Sequence, residues 1–137
     1  FKEKLINQTI QEVSRRGKYL VFHFDDYQLL SHLRMEGKYF YVDSDFELNP
    51  HVHVIFTLEN GKRLLYQDTR KFGTYHLYDK AIDLETTAPF QVLGLEPFAT
   101  EFTPSYVKEK IQNKKKPIKS LLLDQTVVCG LGKYLCR

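Results

Sequence analysis

The sequence predicts an α+β chain that is mostly β. It divides into a β-rich domain over residues 1–80, a connection over 81–102 and the opening helices of an α-helical unit over 103–137. Three observations predict this. Apolar and polar residues alternate along much of the stretch up to Asp79, which is the period of a strand. Asn60-Gly61 sits between two such alternating runs, the strongest short signal of a hairpin. Thr103-Pro104 then opens a stretch of helical spacing, a Thr cap followed by Pro at the first helical position.

The elements follow in order. "TIQEVSRRGKYLVFHF", from Thr9 to Phe24, reads as a strand preceded by a bend or bulge at Arg15-Arg16-Gly17. Asp25-Asp26 is a turn. "YQLLSHLRMEGKYFYVD" is a second strand region broken around Glu36-Gly37, and "HVHVIFTLENGKRLLYQD" is the hairpin. "GTYHLYD" is a further strand, so Arg70, Lys71 and Phe72 stand at a tip between two strands. "KAIDLETTAPFQVLGLEPFATEF" carries Pro and Gly without long alternation and reads as a connection with one short helix. "SYVKEKIQN" places Tyr106, Val107 and Ile111 on one helical face, and Pro117 starts a second helix. Val127, Val128 and Leu131 are expected to find few packing partners, because so short a helical unit cannot bury its own apolar face.

Composition narrows the class. Of 137 residues, 42% are hydrophobic and 14% aromatic, with nine Tyr, ten Phe and no Trp. That suits a packed core and excludes a disordered chain; the aromatics favour strands. Net charge is +3, so the placement of charge matters more than its sum. Cys129 and Cys136 are the only cysteines and form neither a zinc spacing nor a disulfide framework; a reducing, intracellular setting is expected. No apolar run is long enough to cross a membrane. The chain opens on Phe1 rather than Met, as expected of a chain that starts partway into a longer protein or has been processed.

Several basic and aromatic residues admit two readings each. Arg70-Lys71-Phe72 is a solvated turn with its ring folded back, or a wedge in which the aromatic enters a base stack while the cations hold phosphates. Lys18, after Arg15, Arg16 and Gly17, is an exposed strand end, part of a phosphate-binding strip, or an amine that takes part in chemistry. Met35, the one methionine, is core filler or projects from a loop. His51 and His53 share a strand face; no third metal ligand accompanies them, and His51 could meet a phosphate. "KKKPIK", Lys114 to Lys119, is a solvated helix end or part of an anion site. Basic clusters on several elements with aromatics between them point to a nucleic-acid surface.

"RRGKYLVF", "LLSHLRMEGKY", "DTRKFG", "LGLEPF" and "KPIKSLLLDQTVVCGLG" occur in that order. Together they resemble the formamidopyrimidine-DNA glycosylases, bacterial base-excision repair enzymes for oxidised purines. The resemblance runs to Gly132. It implies a two-layer β-sandwich followed by a helix–two-turn–helix domain and a zinc ribbon. It implies double-stranded DNA containing 8-oxoguanine or formamidopyrimidines as partner, glycosylase and abasic-site lyase activity, and a cytoplasmic bacterial setting. It also implies roles. Lys18 would stand beside the reaction centre as a catalytic residue. Met35, Arg70 and Phe72 would fill the space left by a flipped nucleotide. His51 and Lys71 would hold DNA phosphates, and Lys119 would lie near the damaged-base pocket.

The departures carry expectations of their own. The family's nucleophile is an N-terminal proline amine, and its one zinc sits in a C-terminal ribbon; neither is in this sequence. The chain is therefore expected to lack excision activity and to hold no metal or cofactor, and exposed sheet edges would allow a dimer. The family continues Gly-Leu-Gly as Asn-Ile-Tyr, whereas this chain reads Lys133-Tyr134-Leu135-Cys136-Arg137. One A inserted before AAT ATT TAT GTC GA gives AAA TAT TTA TGT CGA, which encodes those five residues, so a frameshift is expected there. Two alternatives stand beside the family reading: a non-enzymatic nucleic-acid-binding β-module, and a protein-interaction sandwich.

Overall fold

The computed structural model describes residues 1–133. The tail reading falls almost wholly on 134–137, outside the described residues. A short helix, α1 (Lys2–Leu5), precedes seven strands. These are β1 (Glu12–Arg16), β2 (Tyr19–His23), β3 (Tyr27–His32), β4 (Lys38–Val42), β5 (Val52–Thr57), β6 (Arg63–Gln67) and β7 (Thr74–Asp79). A 3-10 turn (Leu84–Thr86), α2 (Ala88–Gln91), α3 (Pro104–Ile111) and α4 (Ile118–Leu122) follow.

The strands form two antiparallel sheets, ordered β1-β2-β3-β7 and β4-β6-β5. The chain leaves the first sheet after β3, builds the second, and returns between β6 and β7. The register places both crossings at one end of the sandwich: His32 faces Thr74 across β3 and β7, and Lys38 faces Gln67 across β4 and β6. Arg70-Lys71-Phe72 therefore sits on a loop between sheets, not at a hairpin tip.

Phe22, Phe24 and Leu29 fill the space between the sheets, with Tyr39, Phe56, Leu64, Tyr75 and Leu77 packed on them. The other face of the first sheet is also covered: Val21 and Leu30 pack on Phe90 of α2, with Tyr78, Leu84 and Leu93 around them. Fully burying a side chain such as Leu29 or Leu30 is worth about 1.5–3 kcal/mol. Double coverage explains why consecutive residues of β2 and β3 are buried, while β5, wet on one face, alternates strictly between half-buried and exposed.

Two expectations are corrected here. Residues 9–24 are not one strand with a bend: Arg15 and Arg16 belong to β1, and Gly17-Lys18 is a two-residue hairpin turn with Gly17 at φ +60°. Val127 and Val128 do not lack partners; they and Cys129 are fully buried. Leu95 and Val128 form a parallel bridge, Cys129 N donates to Leu95 O at 3.0 Å, and Tyr106 Oη donates to Val127 O at 2.7 Å. The connection supplies the apolar face that the helical unit cannot. The predicted hairpin at Glu59–Gly61 is present, as is the helix at Thr103-Pro104, where Thr103 Oγ1 accepts from Tyr106 N at 3.2 Å.

Candidate nucleic-acid interface

The loop Asp68–Gly73 is organised by a buried carboxylate. Asp68, 1% exposed, accepts from Tyr66 Oη at 2.8 Å, Gly73 N at 2.8 Å and Arg70 N at 3.1 Å. Burial pushes this carboxyl up, but the amides of Gly73, Arg70 and Lys71 and the Tyr66 hydroxyl outweigh it and hold it below the usual aspartate value. Asp68 N also donates to His51 O at 2.9 Å, and His53 Nε2 lies 2.8 Å from Asp68 O, which fixes the loop to the start of β5. Lys71 takes φ +58°, a left-handed conformation costing a non-glycine residue about 1 kcal/mol or more. Arg70, Lys71 and Phe72 are exposed, Phe72 by 60%. The inward-folded ring, the bland alternative for this loop, is not what forms.

The second crossing, Leu33–Gly37, is closed by Gly37 N donating to Leu33 O at 3.0 Å and by Arg34 N donating to His32 Nδ1 at 3.0 Å. Arg34 is at φ +55°, and Met35 projects into solvent with 77% exposure. Met35 is thus not core filler.

Lys18 lies at the same end. Tyr19, the residue after it, faces His32 across β2 and β3, and His32 in turn faces Thr74. His32 is a residue the sequence reading missed. Its Nδ1 is an acceptor, so its proton sits on Nε2. Burial lowers its pKa, and the charges of Arg34 and Lys18 lower it further. Among the described residues, none of Lys18, Arg34, Arg70 and Lys71 forms an ion pair with a carboxylate.

The structure therefore brings Lys18, Met35, His51, Arg70, Lys71 and Phe72 to one end of the sandwich. Lys119 is exposed on α4. Arg15 and Arg16, read from sequence as part of a possible phosphate strip, are corrected to structural groups. Arg15 pairs with Glu96 at 3.2 Å and Arg16 with Glu85 at 2.9 Å, and Arg16 also donates to Gly94 O and Cys129 Sγ. Among the described residues, no three His, Cys, Asp or Glu side chains gather as a metal site, and His53 is engaged by the Asp68 carbonyl.

Residues 1–75 match the formamidopyrimidine-DNA glycosylase N-terminal domain, and residues 93–136 match the formamidopyrimidine-DNA glycosylase H2TH domain. The chain belongs to the formamidopyrimidine-DNA glycosylase family. It is 49% identical over 132 residues to the formamidopyrimidine-DNA glycosylase of Bacillus licheniformis, and 48% identical over 132 residues to that of Bacillus subtilis. Each alignment takes in 96% of this chain and 48% of the relative, so the chain spans about half the length of the curated glycosylases it matches. It is similar to the Lactococcus lactis glycosylase in complex with DNA containing Fapy-dG, at TM-score 0.85 and 41% identity over 96% of this chain and 49% of that one. It is equally similar to that glycosylase bound to abasic-site DNA, at TM-score 0.86 and 40% identity over 98% of this chain and 49% of that one. No helix among the described residues is long and apolar enough to cross a membrane.

Proposed function

We propose that this chain is the lesion-engaging part of a base-excision DNA repair protein that acts on oxidised purines in double-stranded DNA. One observation carries the reading. Two sheet crossings converge at one end of the sandwich, and each holds a large apolar side chain, Met35 or Phe72, out in water beside unpaired cations. Exposing a phenyl ring and a thioether gains nothing in the free protein. Both suit the apolar gap left in a base stack when a nucleotide is extruded, an unstacking that costs about a few kcal/mol.

In this reading Met35 and Phe72 enter the stack, and the Arg70 guanidinium meets the base left without a partner. Lys71 and His51 hold phosphates on the flanks. Lys18 lies beside the extruded nucleotide, next to the neutral His32, where an unpaired amine can hold a phosphate and take part at the reaction centre. Lys119 contributes to the pocket for the damaged base. Residues 1–80 are the sandwich, 81–102 the connection, and 103–137 the start of the helical domain. Glycosylase and abasic-site lyase activity are proposed for the whole protein of which relatives of twice this length are examples. That the solved relatives are described as complexes with Fapy-dG and abasic DNA supports this choice of partner.

The test is a comparison of binding to a duplex with one abasic site and to the same duplex intact, each at two salt concentrations. Tighter binding to the lesion duplex, retained at the higher salt, is expected. Equal affinity for both duplexes with a steep fall in salt would instead mean a β-module that holds phosphates alone. No binding at low salt would leave the interaction sandwich.

A further inference from the structure

The two crossings meet at one atom. A Cβ added to Gly73 would overlap the Tyr66 hydroxyl outright, and a Cβ added to Gly37 would come within 2.8 Å of the same hydroxyl. Gly37 ends the Met35 loop and Gly73 ends the Phe72 loop, so the backbone of each loop lies directly against the Tyr66 phenol. That phenol is fixed from three sides. Its oxygen donates to the buried Asp68 carboxylate at 2.8 Å. Its ring packs against Tyr39 at 5.3 Å, tilted, and against Tyr75 at 5.3 Å, edge-on. Behind them, Ser31, Tyr39 and Tyr75 share a chain of hydroxyl hydrogen bonds. Asp68 in turn takes up the amides of Arg70 and Gly73.

We propose that Tyr66, with Asp68, is a positioning pair that locks the Met35 loop and the Phe72 loop into one fixed relation, so that both apolar tips reach a distorted duplex as a single preformed wedge. Tyr66 touches no DNA itself; it acts through the backbones of Gly37 and Gly73. Wedge residues set within a fraction of an ångström of their working geometry bind without first being ordered. Two separate loops, each crossing between the sheets, need a shared support to reach that precision. The device rests on the DNA-binding function proposed above, but the coupling of the loops is a property of the free protein and is measured without DNA.

Met35 is the one methionine of the chain, so a ¹³C-methyl-methionine label gives one resonance for its loop, while the Phe72 and Gly73 amides report the other. Tyr66→Phe removes one oxygen atom. It is expected to shift and broaden both sets of signals with the fold intact, whereas Tyr39→Phe, which removes a hydroxyl bonded only within the Ser31–Tyr39–Tyr75 chain, moves neither. Signals that stay still in Tyr66→Phe, that move in one loop only, or that move equally in Tyr39→Phe would overturn the proposal. In the DNA arm, Tyr66→Phe is expected to reduce the ratio of abasic-duplex to intact-duplex affinity about tenfold, the scale of loss from a small misplacement of positioned groups. An unaltered preference overturns the wedge support. A wild-type chain without any preference refutes the function proposed above, and the resonance arm still decides the coupling.

Discussion

Of the three pairs of adjacent cations in the β domain, two have opposite fates. Arg15 and Arg16 are drawn into the structure, where Glu85 and Glu96 neutralise them and Gly94 O and Cys129 Sγ take further hydrogens. The Glu85 hydrogen bond is the largest reason the Arg16 guanidinium is held above its usual pKa. Arg70 and Lys71 face solvent and, among the described residues, have no carboxylate partner; the one acid of their loop, Asp68, spends its oxygens on backbone amides and a phenol. The difference lies in the partners and not in the residue types. The first pair ties β1 to the connection and to the helical unit. The second forms no ion pair among the described residues, which is the state the proposed contacts with a duplex require.

The largest effect should come from breaking the structural pair. Glu96 accepts from Gly17 N at 2.6 Å and from Arg15 at 3.2 Å, and it lies within ion-pair range of Arg16 at 3.9 Å. Glu96→Ala should lower stability by about 2–3 kcal/mol, the cost of leaving part-buried donors unpaired, as read by urea unfolding. The ratio of lesion to intact duplex affinity should be unchanged. Arg70→Ala should do the reverse: an unchanged unfolding midpoint, and about tenfold weaker binding to a duplex with an orphaned base, the scale of one good base contact. Lys71→Ala should weaken binding to every duplex alike and reduce the slope of log K against log salt by about 0.9. If Arg16→Ala and Lys71→Ala changed that slope equally, the contrast between the pairs would fail.

These residues show what a sequence discloses. The hairpin at Glu59–Gly61 and the helix at Thr103 were legible because turn and cap chemistry are local. The β1–β2 hairpin was not, because its turn, Gly17-Lys18, lacks an Asn or Asp and β1 is an exposed edge with little alternation. Burial of Val127 and Val128 depended on a partner strand in the connection, at Leu95, which no periodicity reveals. The exposed Met35, Arg70, Lys71 and Phe72 were legible as odd residues in a turn. The parts that hold them, Tyr66, Asp68 and Gly37, were invisible, since only the crossing of two sheets brings Gly37 and Gly73 to one phenol.

The smallest predicted effect is on the acid limb of stability. The Asp68 carboxyl ionises at lower pH in the fold than in the unfolded chain, so the folded state binds fewer protons there. Its stabilisation is complete above the ordinary aspartate value of about 3.9 and is lost as pH falls through the depressed one. Asp68→Asn should make the decline below about pH 4 shallower in denaturation curves. Glu96 and Asp124, also held below their usual values, keep part of the slope in the variant. An unchanged decline would mean that the loop amides do not hold the carboxylate as described.

The account rests most heavily on the apolar tips, and the direct measurement is the fluorescence of a 2-aminopurine base placed beside an abasic site in a duplex. Wild-type chain should raise that fluorescence as side chains enter the stack, and Met35→Ala/Phe72→Ala should bind without raising it. An equal rise with the double variant, or none with the wild type while the complex forms, would contradict the wedge.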